Sequence, residues 1–436
     1  MNFEVSGQSY TPDDFIASYD IETKYDLQDF RINPINESVF AIFQFYKRQV
    51  EYIEYNLQDS SVVYSNSISI KNSNKCNRVL GHFFEENKSE FYFLDNQKRY
   101  LSFFTFDRST NNFKGKTIVD FVKSNEIFLE SYYSDQSLIA VSIKKKSSDI
   151  VLRQILANGI IKTTYFDLKG YFGENIFDQL YFKLIQLGES FRDQISIARI
   201  DKSSLFDFSI TQSRNKIYFR KNQIILTVDN NLGKTLLIRL AKISNKADVK
   251  EFDHNIPENC TSNGLLSMNS LVLDNLLYQV STCRKELIIT IIDYSTGKVN
   301  AQFSLNKNES SEDFKHAIFK EEIGATLFSG KRDVFTSASK ILRKGANYDI
   351  AIGLRKLEDG IVRLDVGTYQ VKESAVPVIL PLPYSIWVYG YIYKEYPYNI
   401  FIRNYLNTNT YRFQRNGSKE LEENESNTYF QKCQVV

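Results

Sequence analysis

The sequence predicts an all-β fold built from repeated antiparallel units. The first observation behind this is that short runs of β-branched and aromatic residues, alternating or continuous, are separated by clusters of Asn, Asp, Ser, Gly and Lys. The second is that these runs fall into groups of about four strands, each group roughly 40 to 50 residues long. The third is composition. With 28 Tyr and 33 Phe, aromatic residues make up 14% of the 436-residue chain, and hydrophobic residues make up 42%, enough for extended sheets and a large interior.

Residues 1–37 read as a polar segment able to supply a closing strand. Val39 to Tyr46, Val50 to Tyr55 and Ser61 to Ile70 then form a meander. A second group runs through Val79 to Phe84, Phe91 to Leu94, Tyr100 to Phe106 and Thr117 to Phe121. A third takes Ile127 to Tyr133, Leu138 to Ile143, Ile150 to Leu156 and Ile160 to Phe166, with Ala157-Asn158-Gly159 as a hairpin turn that tolerates positive φ. Ile176, Leu180, Leu184 and Leu187 recur at helical spacing, which predicts a short amphipathic helix over Ile176 to Leu187. Strands resume at Ile195 to Ile200. Leu205 to Ile210, Ile217 to Arg220, Ile224 to Val228 and Thr235 to Ile243 make a fourth group. Leu271 to Leu273, Leu276 to Val280, Glu286 to Ile292 and Val299 to Leu305 make a fifth. Asp333 to Lys344 reads as a helix stopped by Gly345, before strands at Tyr348 to Leu354, Ile361 to Val366 and Ile386 to Tyr393. Residues 416–436 are a polar tail in which Tyr429, Phe430, Val435 and Val436 could dock as an edge strand.

Three turns share a pattern: Phe106-Asp107-Arg108-Ser109-Thr110-Asn111, Ile292-Asp293-Tyr294-Ser295-Thr296-Gly297 and, more loosely, Tyr405-Leu406-Asn407-Thr408-Asn409-Thr410. Asp or Asn accepts backbone N–H bonds within such a turn, and Gly or Asn supplies the left-handed residue that reverses the chain. In these turns the chain resembles β-propeller proteins generally, whose outer strands are often joined by an Asp-x-x-Thr-Gly turn. No WD dipeptide, kelch diglycine or sialidase-type Asp box accompanies them. The resemblance implies that residues 38–415 form one β-propeller of about six or seven four-stranded blades with short helical insertions. Spacing becomes irregular after Gly170, which keeps multi-sheet β-sandwich domains as the alternative.

Charge excludes a global field for polyanions, because 54 Lys and Arg face 52 Asp and Glu for a net +2. Residues 1–20 lack the features of a secretory signal, and no run of about 18 apolar residues suggests a membrane-spanning helix. On this reading the chain is cytoplasmic, the alternative being an exported form whose signal is removed or missing. Cys76, Cys260, Cys283 and Cys433 are scattered, which predicts reduced buried thiols. Asn87 and Asn259 open glycosylation sequons of the kind an Asn- and Ser-rich chain generates by chance.

No catalytic or metal motif emerges. His82, His254 and His316 lie far apart. Asn231-Leu232-Gly233-Lys234-Thr235 is like the end of a phosphate-binding loop, but Val228 stands where the first glycine belongs. Gly188-Glu189-Ser190-Phe191-Arg192 lacks the last glycine of a nucleophile elbow. Asp13-Asp14, Glu85-Glu86, Glu321-Glu322 and Glu422-Glu423 are adjacent carboxylates, which point to opposite faces of a strand or sit solvated in loops. Lys144-Lys145-Lys146 ends a strand, where it discourages edge pairing. Lys216, Arg220 and Lys221 flank Tyr218 and Phe219 in a mixture that could stack on bases.

The most unusual segment is Tyr384 to Tyr405, where Trp387, Tyr389, Tyr391 and Tyr393 recur at every second residue. Period two puts them on one face, able to stack on a sugar or a partner protein. The competing expectation is a central strand buried on both faces. The sequence therefore points to a non-catalytic scaffold without cofactors that binds another macromolecule, foremost a protein. The alternatives are a glycan-binding or glycan-hydrolysing propeller using dispersed carboxylates, and a structural component of a larger assembly. Nucleic acid is the disfavoured partner.

Overall fold

The computed structural model describes residues 27–414 with breaks, the longest at 70–77, 186–194, 261–265, 308–311 and 326–329. The expected terminal segments, residues 1–26 and 415–436, lie outside it, as do Asn87 and Gly188 to Arg192. The chain divides into two compact units, Met1–Asp167 and Leu168–Val436.

In the first unit every sheet is a four-stranded antiparallel meander taken in chain order. The first contains β1 (Leu27–Pro34), β2 (Val39–Tyr46), β3 (Gln49–Asn56) and β4 (Ser61–Ser69). The second contains β5 (Arg78–Glu85), β6 (Lys88–Leu94), β7 (Leu101–Asp107) and β8 (Asn112–Ile118). The third contains β9 (Glu126–Ser134), β10 (Ser137–Lys144), β11 (Ile150–Ile155) and β12 (Ile161–Phe166). Inner strands read as near-continuous apolar runs: β6 and β10 are buried along nearly their whole length. The outer strand β12 instead carries Lys162, Thr163 and Thr164 at half-exposed or exposed positions.

Successive sheets pack face to face. Phe43 and Phe45 of β2 meet Phe91 of β6, with ring centroids 4.5 and 5.1 Å apart. Leu80, Leu101, Phe128, Leu138 and Ile155 join the second sheet to the third. Arg108 also grips Glu54 of β3 through bonds of 2.7 and 3.0 Å. At the β11–β12 turn Gly159 has φ +72°, and a Cβ there would lie 3.0 Å from the Phe103 ring, so both conformation and space require glycine.

Early in the second unit, after a short 3-10 turn at Lys169–Tyr171, the helix α1 (Leu180–Leu184) realises the core of the predicted helix and buries Leu180, Tyr181 and Leu184. A five-stranded sheet follows, in which β13 (Ala198–Ile200) runs parallel to β14 (Asn215–Phe219), continued by β15 (Gln223–Asn230), β16 (Lys234–Ala241) and β17 (Ala247–Asp253). The strand expected over Leu205 to Ile210 is not formed. Asp207 caps a helix there, α2 (Phe208–Thr211), its carboxylate accepting from Ser209 N–H at 2.8 Å. The next meander is β18 (Ser267–Leu273), β19 (Leu276–Thr282), β20 (Glu286–Asp293) and β21 (Val299–Asn306).

The last sheet contains β22 (Ile318–Ile323), β23 (Arg332–Phe335), β24 (Ile350–Lys356), β25 (Ile361–Leu382), β26 (Ile386–Asn407) and β27 (Arg412–Gln414). Its order is β23-β22-β26-β25-β24, with β27 also on β26. One apolar core, including Tyr218, Leu271, Ile289, Ile352, Leu364 and Ile400, runs through all three sheets of this unit. The helix predicted from Asp333 begins later, because Arg332–Phe335 is a strand and Ser337 caps α3 (Ala338–Asn347). Gly345 does not stop that helix. A Cβ there would meet Ile350 and Thr282 at 3.1 and 3.2 Å, so the glycine permits close packing inside it.

The three look-alike turns share one hydrogen-bond plan. Asp107, Asp293 and Asn407 each accept from the backbone N–H groups two and three residues on, at 2.8 to 3.3 Å. Each turn joins the third strand of a meander, or its counterpart β26, to the outer strand that follows. Gly297 and Tyr411 fill the left-handed position, at φ +79° and +52°. Repeated antiparallel meanders, packed in chain order within each unit and ended by equivalent outer turns, make the chain an all-β protein of the β-propeller class.

Cysteine corrects the sequence reading: Cys260 and Cys283 form a disulfide with their Cα atoms 5.9 Å apart. Their separation of 23 residues left no spacing signal.

Candidate functional site

The expected aromatic segment lies on β26, in the longest strand pair of the described residues. The β25–β26 register runs unbroken from Ile361 opposite Asn407 to Leu382 opposite Ile386. β24 supports β25 only from Val362 to Thr368, and β22 supports β26 only from Tyr398 to Arg403. A bond from Gly324 N–H to Pro397 C=O, at 2.8 Å, extends that lateral support by one residue. From there to the turn, residues 369–382 and 386–396 have only each other as ladder partners among the described residues. A two-stranded ribbon thus extends past its supporting sheet.

The ladder shows where the prolines of this ribbon sit. In an antiparallel pair the N–H and C=O of one residue point to the same side. Because Pro397 C=O accepts from Gly324, outside the ribbon, Pro397 and Val371 form a non-hydrogen-bonded pair. Steps of two preserve that class, so Pro377 opposite Tyr391 and Pro381 opposite Trp387 belong to it too. All three prolines occupy positions whose N–H would point outward, where none is missed within the ribbon.

The same register puts positions 387, 389, 391 and 393 on one face, opposite 381, 379, 377 and 375. Tyr393 is 62% exposed, unlike a residue of a central buried strand. The side chains of Trp387, Tyr389 and Tyr391 lie outside the described residues.

The root of the ribbon is held by charge. Asp365 of β25 faces Arg403 of β26 and accepts from its Nε at 3.0 Å, while Arg363 Nε and Nη2 bind the same carboxylate at 3.0 and 2.8 Å. Burial works against the Asp365 charge, but the two guanidiniums outweigh it and hold the carboxyl below its usual range. Glu321 accepts from Lys340 of α3 and from the Tyr398 hydroxyl at 2.5 and 2.7 Å. Lys372 sits over the Tyr398 ring, 3.2 Å from its centroid. The adjacent Glu321 and Glu322 both lie on strand β22, where Glu321 is buried and partnered. Asp13-Asp14 and Glu422-Glu423 lie outside the described residues.

A second cluster, illegible in the sequence, lies inside the second unit. Asp229 accepts from Thr235 Oγ1 at 2.6 Å and from the N–H and Oγ of Ser270 at 2.8 and 3.0 Å. Lys216 Nζ stands 3.7 Å from it and donates to Asn269 Oδ1 at 2.5 Å. Because the Thr235 proton goes to Asp229, His254 Nε2 donates to Thr235 at 2.9 Å, and its Nδ1 is hydrogen-bonded with Ser281 Oγ at 3.2 Å. Asn269 Nδ2 continues the network to Ile350 C=O at 2.6 Å.

Lys216, Asp229 and His254 are all buried, so this network bolts three sheets together and presents nothing to a ligand. Lys216 and Tyr218 are accordingly unavailable for stacking on bases, and the phosphate-loop look-alike ends in the buried Thr235 of a β-hairpin. Of the other predicted residues, Lys144 pairs with Asp149 at 2.9 Å and His316 is exposed in a turn.

The network carries a pH signature. Burial lowers Lys216 from 10.5 to about 8 against the pull of Asp229. Between those values the unfolded chain binds the proton more tightly than the folded one, so stability rises with pH. Wild-type protein is expected to show an increasing urea midpoint from pH 8 toward 10.5 that Lys216→Met abolishes. An unchanged rise in the variant would assign it to another group.

No family model matches the chain, and no curated protein matches it. Solved structures do. The chain is similar to the WD40 domain of SCAP from fission yeast, at 8% identity, 86% of this chain, 95% of that chain and TM-score 0.29. It is similar to the β-propeller domain of the Trilobed protease from Pyrococcus furiosus, at 8% identity, 78% and 91% coverage and TM-score 0.27. A prolyl endopeptidase structure aligns at 8% identity over 77% of this chain with TM-score 0.30, the aligned part spanning 46% of that longer chain. The propeller assignment rests on the meander sheets themselves, and no narrower family is assigned.

Proposed function

We propose that the protein is a non-catalytic propeller scaffold that holds another macromolecule through the β25–β26 ribbon. The observation that carries this reading is the ribbon's extension beyond Gly324–Pro397, the last lateral bond it makes among the described residues. The packed sheets of the second unit position such an element without having to move. Glu54, Glu126, Asp229, Glu321 and Asp365 are buried and each is bound to a cationic partner, so these five are not free for hydrolytic chemistry. A glycan hydrolase needs two carboxyl groups free to act across a cleft. The Cys260–Cys283 bond supports an exported location over the cytoplasmic one expected from the sequence.

Ser374 faces Lys394 in a hydrogen-bonded pair, so a two-residue Asn-Gly turn can close the ribbon there in place of residues 375–393. This shortened protein is expected to unfold with the wild-type midpoint and to lose the crosslinks that the full chain forms in extracts of its source cells. Equal crosslinking of both proteins would overturn the assignment of binding to the ribbon.

A further inference from the structure

We propose that the outer part of the ribbon, positions 375–382 and 386–393, enters the headgroup and acyl boundary of a lipid bilayer, a conclusion that rests on the ribbon being the binding element. Neither strand carries a charge there. The charges end at one level on both strands: Glu373 faces Glu395, and Lys394 faces Ser374. Past that level the register places only uncharged, mainly apolar and aromatic residues at positions on either face. The register puts Val376 opposite Ile392 and Leu380 opposite Val388 on one face, and Tyr391 opposite Pro377 and Trp387 opposite Pro381 on the other.

A protein surface covers one face of such a ribbon and leaves the other in water, whereas a bilayer takes up both. Backbone chemistry agrees. Pro377 and Pro381 remove outward N–H groups from the β25 edge, which hinders strand addition by a protein and lowers the cost of placing that edge where acceptors are scarce. The outward N–H groups of Ala375, Ile379 and β26 and the outward carbonyls of both strands remain, so the ribbon does not span the membrane but lies where headgroups and water still reach it. Tyr and Trp favour that depth. Eight rungs at about 3.4 Å make roughly 27 Å, which when tilted fits one leaflet and its headgroups.

The chain contains a single tryptophan, Trp387, so its fluorescence reports the ribbon directly. With vesicles of phosphatidylcholine and phosphatidylserine, the full chain is expected to float with the lipid, its emission to shift to the blue, and lipids brominated on the acyl chain to quench it. Leu380→Asp with Val388→Asp, a facing pair, is expected to weaken partitioning at least roughly 100-fold. An unchanged emission and no flotation would overturn the lipid assignment. If ribbon-dependent crosslinks to a protein survive that result, the scaffold reading stands with a protein in place of the lipid; if they vanish too, both readings fall.

Discussion

Asp229→Ala is expected to cost the protein about 3–5 kcal/mol of unfolding free energy, measured by urea denaturation at pH 7. The carboxylate is buried and answers five groups at once: Thr235, the N–H and hydroxyl of Ser270, His254 and Lys216. Its removal leaves the Lys216 ammonium inside the core with only neutral acceptors, and leaves the Ser270 N–H without its bond. The double variant with Lys216→Met is expected to lose less than the sum of the two single changes, because the stranded charge goes with the lysine. Strict additivity would mean that the two groups do not sense each other. A fall in stability is also expected in acid: burial works against the Asp229 charge, but the bond from His254 and the charge of Lys216 hold its pKa below the ordinary 3.8. That contribution is present above the unfolded pKa and is lost as pH drops through the folded one.

Asp365→Ala is expected to be comparably damaging, at about 3–5 kcal/mol, and to act on the ribbon as well as on the core. Two guanidiniums, Arg363 and Arg403, share that one carboxylate, and all three residues are buried. Without it they repel each other at the root of the β25–β26 pair. Asp365→Asn keeps one acceptor oxygen and is expected to fall between wild type and alanine. Hydrogen exchange at the amides of residues 362–368 would show whether the root loosens before the protein unfolds, since protection there should drop by more than the global change in stability. A uniform drop across both units would mean that the triad has no local role.

Some of this was legible from one residue to the next. The meanders and their inner and outer strands were readable because a strand covered on both faces must be apolar at consecutive positions, while an outer strand keeps residues such as Lys162 and Thr163 facing water. The shared turns were readable because an Asx carboxylate or amide reaches only two or three residues ahead, so Asp107, Asp293 and Asn407 carry the whole device within one short window.

Other elements misled because local signal and tertiary demand diverge. Leu205 to Ile210 looks like a strand until Asp207 is seen to cap a helix. Gly345 looks like a helix stop, yet it is the position where α3 must approach Thr282 and Ile350.

The sequence by itself determined the all-β class, the repeated meander, the outer turns and the aromatic alternation over 387–393, all of which depend on contacts within a few residues. Only the tertiary structure decided that Lys216, Asp229, Thr235, His254 and Ser270 converge, that Cys260 meets Cys283, and that β25 and β26 run on together beyond the strands that support them. These are pairings between distant points of the chain. What selects them is the free energy of packing, charge compensation and ladder closure, and none of that is carried by local residue preference.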